Sequence, residues 1–402
     1  MLKAKTFILI LFICSIFNVN SQKNIESYQL SSFNPTENTT DFLQIDSIFK
    51  NKRLIGLGEC THGSSEFTSM RHRIFIYLVE NHGFNTIFIE ADYGATMRLN
   101  AYINGENDSI NPALNEILYF AWRTEEMKKL VEWMREYNQN APVKIQFIGC
   151  DMQSISDERL VFERYCKQYQ KEELPEFIYN KEYQFEEKES RDRARNEWNT
   201  FYNKNLSNNV GNVFLDNSIS QFLNYRDQKG TTYNYRDSCM ATNILTYMKI
   251  HPKTKAIFIA HNSHVSRTIF EYENYYPMKR AGYFLNKNLG KTYLVIAQTT
   301  NTGSFHAFTY PKKQLNFSVC DLKPAKKKTV ESFCQEQNVP LLLLRTSSLT
   351  SNKKLRITEI GHTYGKDANG FKHERFQTFD PSFYDFVLYF ERTSPTQIIS
   401  RN

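Results

Sequence analysis

RLIGLGECTHGSSEFTSMRHRIFIYLVENHGFNTIFIEAD (residues 53–92) sets two compact apolar runs on either side of a periodic stretch. RLIGLGE (53–59) and TIFIEAD (86–92) are blocks of Leu, Ile and Phe that end in carboxylates. Runs of this kind read as strands buried on both faces of a parallel sheet. Between them, residues 65–81 place Phe67, Met70, Ile74, Tyr77 and Leu78 at helical spacing, so one flank of a helix is apolar. Strand, helix and strand in this order predict a parallel sheet covered by helices.

The same pattern continues outward. VKIQFIGCD (143–151) and AIFIAHNSH (256–264) repeat the apolar run with a polar end, and residues 125–138 carry Met127, Leu130, Val131 and Met134 on a helical stripe. TYLVIAQT (292–299), PLLLLR (340–345) and FYDFVLYFER (383–392) supply further strands. The expected fold is α/β, with a mostly parallel central sheet flanked by helices, in one domain over residues 22–402. Between Ser154 and Arg236 the text turns charged and aromatic and lacks a strand. It predicts a helical lid insertion over residues 155–235, with rings such as Tyr165, Tyr169, Phe177, Tyr179, Tyr183, Phe185, Trp198, Phe201 and Tyr202 available to wall a broad cleft.

The 402 residues carry a net charge of +7 with acids and bases well mixed, which is not the footprint of a nucleic-acid binder. KPAKKK (323–328) is the one dense basic run and reads as a solvated loop. Lys3 and Lys5 precede the apolar TFILILFICSIF (6–17), and Val19-Asn20-Ser21 offers a cleavage site before Gln22. Residues 1–21 therefore read as a signal peptide, and the mature chain as exported, periplasmic or secreted, without an integral membrane segment. Cys14 follows Ile13 rather than a small residue, which argues against lipidation. The remaining six cysteines, Cys60, Cys150, Cys166, Cys239, Cys320 and Cys334, include no CxxC pair and indicate neither a disulfide scaffold nor a zinc module.

The strand ends deliver Glu59 with His62, Glu90 with Asp92, Asp151, and His261 with His264. Carboxyl ends of parallel strands converge on one edge, where ligands bind. Any one of these residues has a structural explanation, but four strands ending alike mark an active site. Arg71 lies on the core-facing stripe of its helix and must be paired, with Glu59 and Glu90 as the expected partners. That pair serves either as a structural salt bridge or in catalysis. No GxSxG elbow occurs, which disfavours a serine hydrolase. Cys60 reads as a small buried thiol rather than a nucleophile. A histidine oriented by a carboxylate is a good general base for water. The same side chains are also able to ligate a metal that activates water. Arg71 beside the carboxylates already supplies positive charge, so the metal-free reading is preferred and no cofactor is expected. A third reading, an exported binder of a hydrophobic ligand, leaves the convergence of histidines and carboxylates without a purpose.

Residues 58–94 resemble the signature opening of the erythromycin esterase family. AWRTEEMKKLVEWMREYNQ (121–139), VKIQFIGCDMQ (143–153), YRDSCMATNI (235–244), IFIAHNSHV (257–265) and FVLYFERTSP (386–395) extend the likeness over nearly the whole mature chain. The resemblance implies hydrolysis of the lactone ester of macrolide antibiotics by histidine-activated water, hence a role in resistance and a small-molecule substrate. It places Glu59, His62, Arg71, Glu90 and His261 at the family's functional positions, with His264 beside them. Arg236 and Asp237 match a second recurring pair that shapes the site. Asp151, from the strand ends, joins these as a candidate substrate contact.

Overall fold

The computed structural model describes residues 25–400 apart from 108, 117–118, 155, 157–158, 160–168, 226, 228–231, 271–276, 312–313, 350–354, 367–371 and 374. Residues 1–21, expected to be a signal peptide, lie with Cys14 outside the described residues, as do Tyr165 and Cys166.

Nine strands form one sheet: β1 (Ser27–Gln29), β2 (Leu54–Leu57), β3 (Thr86–Asp92), β4 (Gln146–Asp151), β5 (Ala256–Ile259), β6 (Tyr293–Thr309), β7 (Asn316–Leu322), β8 (Leu341–Arg345) and β9 (Phe386–Thr393). Their order is β1-β8-β9-β6-β2-β5-β3-β4, with β7 paired to the far end of β6. The run from β9 through β4 is parallel throughout. The antiparallel pairings are confined to β8, β1 and the β6–β7 hairpin. β5 inserts between β2 and β3, register Ile55↔Ile257 on one side and Ile87↔Ile257 on the other. The chain leaves β2 toward β3 but leaves β5 toward β6, so the topology reverses at the sheet centre, where ligand crevices form.

The apolar runs are buried on both faces because alternate residues serve opposite layers. Ile55, Leu57, Ile87, Ile89, Ile257 and Ile259 pack under α1 (Ser65–His82), α2 (Tyr93–Ile103) and α3 (Glu125–Asn140). Leu54, Phe88, Phe258 and Val295 face the other way, against Met240, Ile244 and Leu285. Full burial of each such side chain contributes roughly 1.5–3 kcal/mol, which fixes strand register and face together.

α1 positions the first part of the site. It ends where Gly83 adopts a left-handed φ of 67° and its N–H caps Leu78 O. That conformation is cheap for glycine and costly for a residue with a Cβ. Its first turn is tied to the chain's end: Glu66 accepts from Ser394 N (2.8 Å) and Ser394 Oγ (2.6 Å). At Gly63 a Cβ would meet the His306 backbone at 2.0 Å, so only glycine lets the loop after His62 pass so close to β6.

The insertion is helical as expected, with Glu176–Tyr179, α4 (Lys188–Asn205) and α5 (Val213–Tyr225). Its described rings close on one another: Phe177, Tyr183, Trp198, Phe201 and Phe222 form a separate apolar cluster that rests on Tyr93 and Met97 of α2. Two more helices bear on the site, α6 (Thr232–Ile250) and the single turn α7 (Asn262–Val265). Among the described residues no helix is long and apolar enough to cross a membrane. Cys60, Cys150, Cys239, Cys320 and Cys334 are free thiols.

Candidate active site

A cavity of about 640 Å³ opens at the carboxyl ends of β2, β3, β4 and β5. His62, Glu90, Asp151, Arg236, His261 and His264 line it, while Glu59, Arg71 and Asp237 stand behind these residues.

At the end of β2 the chain turns within three residues, which brings Glu59 Oε1 to 2.7 Å from His62 Nδ1. Glu59 Oε2 accepts from Arg71 Nη1 at 2.8 Å, and Arg71 is completely buried. Arg71 Nη2 reaches Ala260 O at 3.4 Å. The turn is held by Asn262 N to Glu59 O (2.8 Å) and by His62 N to Gly361 O (3.3 Å). One carboxylate therefore serves a histidine and an arginine at once. The expected second partner of Arg71, Glu90, makes no hydrogen bond to it; that carboxylate is taken by Arg236 from α6.

Glu90 Oε1 accepts from Arg236 Nη2 at 2.7 Å and lies 3.2 Å from His264 Nε2, while Oε2 accepts from His261 N at 3.0 Å. Burial would raise this carboxyl, but His264 and Arg236 hold it well below the usual carboxylate range. Arg236 also clamps Asp151 through Nε (3.0 Å) and Nη2 (2.5 Å). His264 Nδ1 is 2.7 Å from Asp237 Oδ1, and Asp237 Oδ2 accepts from Arg280 Nη1 at 3.2 Å. Burial opposes a charge on His264, yet Asp237 and Glu90 outweigh it and raise the imidazole to about 9. A guanidinium nitrogen 3.3 Å from Nε2 does not reverse that balance. His264 is a cation at neutral pH.

His261 has the opposite character. It is the N-cap of α7, and its Nδ1 accepts from the Ser263 hydroxyl (2.9 Å) and backbone N–H (3.4 Å). Burial, with His62 and His264 nearby, pushes it well below the ordinary histidine range. With Nδ1 an acceptor, the ring is neutral and carries its proton on Nε2. Glu359 Oε1 lies 3.2 Å from the same Nδ1, and burial raises that carboxyl to about 8. A neutral Glu359 exerts no pull that would charge the ring.

Burial likewise pushes the Cys60 thiol well up, which leaves it inert as a nucleophile. Among the described residues no three His, Cys, Asp or Glu side chains gather as a metal cage. The carboxylates instead face guanidinium groups: Glu59 faces Arg71, and Glu90 and Asp151 face Arg236.

Glu359, Arg280 and Tyr119 were not legible as site residues. Glu359 follows a four-residue strand, Leu355–Thr358, and its sequence surroundings carry no run or period that would single it out. Tyr119 sits among apolar text, LYFAW, and reads there as core. It lines the cavity, with its ring 5.4 Å from that of His62, edge to face. The insertion contributes Tyr225 to the lining, whereas Tyr169, Phe177, Tyr179, Tyr183, Phe185, Trp198, Phe201 and Tyr202 lie elsewhere. All of these but the exposed Tyr179 pack together, which removes more apolar area from water than lining an open cleft would.

The erythromycin esterase family profile matches residues 79–393. Erythromycin esterase type II from Escherichia coli is 25% identical over 324 residues, which cover 69% of this chain and 76% of that protein. A crystal structure described as a succinoglycan biosynthesis protein superposes with a TM-score of 0.77 at 20% identity, over 93% of this chain and 96% of its own. A mutant of the erythromycin esterase EreC in its open conformation superposes with a TM-score of 0.66 at 17% identity, over 93% and 99%. These structures share the mixed α/β architecture and its mostly parallel sheet.

Proposed function

This chain belongs to the erythromycin esterase family, and from that premise we propose that it is a carboxylic ester hydrolase that opens a macrolide lactone, or a related bulky ester, with water activated by His62. One observation carries the reading: His62 lines the cavity with Nδ1 committed to Glu59 at 2.7 Å, and Glu59 is anchored in turn by a buried arginine. The carboxylate holds the proton on Nδ1, so Nε2 is the lone-pair nitrogen that takes a proton from water. As the water oxygen adds to the carbonyl carbon, the carbonyl electron pair moves onto its oxygen and His62 becomes an imidazolium beside Glu59. His62 then returns the proton to the departing alkoxide. His261, neutral with its proton on Nε2, assists at the carbonyl or leaving oxygen. No side-chain nucleophile is required. Residues 155–235 act as the lid, which reaches the cavity through Tyr225, and residues 1–21 direct export of the mature chain.

The test is a hydrolysis panel of macrolides of different ring size alongside small aryl esters, read by mass spectrometry, with His62→Ala as control. Loss of a general base reduces turnover by roughly 100- to 10,000-fold. A folded His62→Ala protein with near-native turnover would remove His62 from this role. Intact macrolides beside cleaved aryl esters would keep the hydrolase and discard the macrolide.

A further inference from the structure

We propose that Tyr119 is a further catalytic residue, whose phenol O–H donates a hydrogen bond to the oxyanion formed at the ester carbonyl. The proposal rests on the hydrolase reading above and adds a group to it.

Tyr119 stands at the start of a short 3-10 turn, Phe120–Trp122, that is wedged under the site. Trp122 Nε1 donates to Glu90 O at 2.7 Å, and the Tyr119 ring packs against those of Phe120 and Trp122. This fixes the Tyr119 ring edge-on to His62 at 5.4 Å between centroids, and the His261 ring lies 5.2 Å from that of His62. The ring is partly buried and lines the cavity. Among the described residues its hydroxyl makes no hydrogen bond, whereas the Glu59, Glu90, Asp151 and Asp237 carboxylates are all committed to partners. Burial, with the Glu90 and Glu59 carboxylates nearby, holds the phenol well above its ordinary value. It is therefore a donor at every working pH and never a competing anion.

An oxyanion hole needs a preorganised donor about 3 Å from the oxygen that gains charge, not from the nitrogen that takes the proton. Water activated at His62 attacks a carbonyl carbon held beside the same ring. The carbonyl oxygen then has two uncommitted donors adjoining that ring, His261 Nε2 and the Tyr119 hydroxyl, and the oxyanion is shared between them. Tyr119 keeps its proton throughout: it stabilises the charge by hydrogen bonding, and the transferred proton travels only between water, His62 and the leaving oxygen.

Tyr119→Phe deletes the hydroxyl and leaves the ring packing, so it separates chemistry from structure. With 4-nitrophenyl acetate as substrate, we expect kcat to fall roughly 100- to 1,000-fold with KM changed little, at an unaltered melting temperature. A second measurement is independent of turnover: calorimetric affinity for a phosphonate monoester, whose anionic oxygens imitate the tetrahedral state, is expected to weaken by a comparable factor. Native kcat in Tyr119→Phe, or a phosphonate bound equally well by both proteins, overturns the assignment, as does a wild-type protein that does not bind it. A His62→Ala protein with native turnover removes His62 as the base, wild-type protein that cleaves no ester refutes the hydrolase reading itself, and the phosphonate comparison still decides Tyr119.

Discussion

Two charged clusters flank the cavity and are built differently. On the β2 side, Glu59 joins one histidine to one arginine, and His62 faces the cavity with a single carboxylate partner. On the β3–β4–β5 side, Arg236, Glu90, Asp151, His264, Asp237 and Arg280 form a continuous lattice in which most members hold two others. The first arrangement leaves a ring nitrogen available and a proton free to move. The second fixes charges in place: its histidine is already a cation between two carboxylates and has no lone pair to offer. Two histidines close in sequence, His261 and His264, divide accordingly into a neutral ring capped by Ser263 and a cation locked by Asp237. Partner identity, not residue type, decides which histidine performs chemistry.

The strongest test of this contrast is Glu59→Gln. Arg71 needs an acceptor at the Oε2 position, so the amide oxygen turns toward Arg71 and the NH₂ toward His62 Nδ1. That reverses the tautomer, and His62 loses its basic Nε2. Turnover of a cleaved ester is expected to drop by roughly 100- to 10,000-fold while the protein stays folded. Retained turnover would show that Glu59 does not set the tautomer.

On the other side the expected loss is in stability. Arg236→Met leaves Asp151 and Glu90 buried without their guanidinium, at a cost of about 3–5 kcal/mol, read from chemical denaturation. An unchanged midpoint would mean that the lattice is not what holds these strand ends together.

A smaller, pH-dependent effect distinguishes His264. Its folded value of about 9 lies above the ordinary 6.5, so the stabilisation is fully present below pH 6.5 and fades as pH rises through 9. The amount at stake is on the order of 3 kcal/mol. Glu359, raised to about 8 from an ordinary 4.5, adds its own decline between those values. His264→Gln should therefore flatten the upper part of the stability curve, between pH 8 and 9, and leave the lower part sloping. A curve of the same shape in wild type and variant would contradict a cationic His264.

Local sequence was sufficient for much of this molecule. The buried strands, the helix expected over residues 65–81 and found at Ser65–His82, and the convergence of Glu59, His62, Glu90, Asp151, His261 and His264 on one edge all follow from apolar runs with polar ends. Hydrophobic periodicity is a property of neighbours in the chain, and parallel topology forces the strand ends together. What sequence did not settle is who pairs with whom. Arg71 had two equally placed carboxylates and bonded one of them, because Arg236, arriving from α6 some 146 residues beyond Glu90, occupies the other. Glu359 reaches His261 from a loop, and Tyr119 reaches His62 from a turn that reads as core. Most of the insertion's described rings turned to one another, while Tyr225 lines the cavity. Burial and pairing of charges depend on distances across the fold, and the energies that select among partners exist only once desolvation has made them large. The sequence determined where the reactive side chains gather; the tertiary structure decided the charge each of them carries.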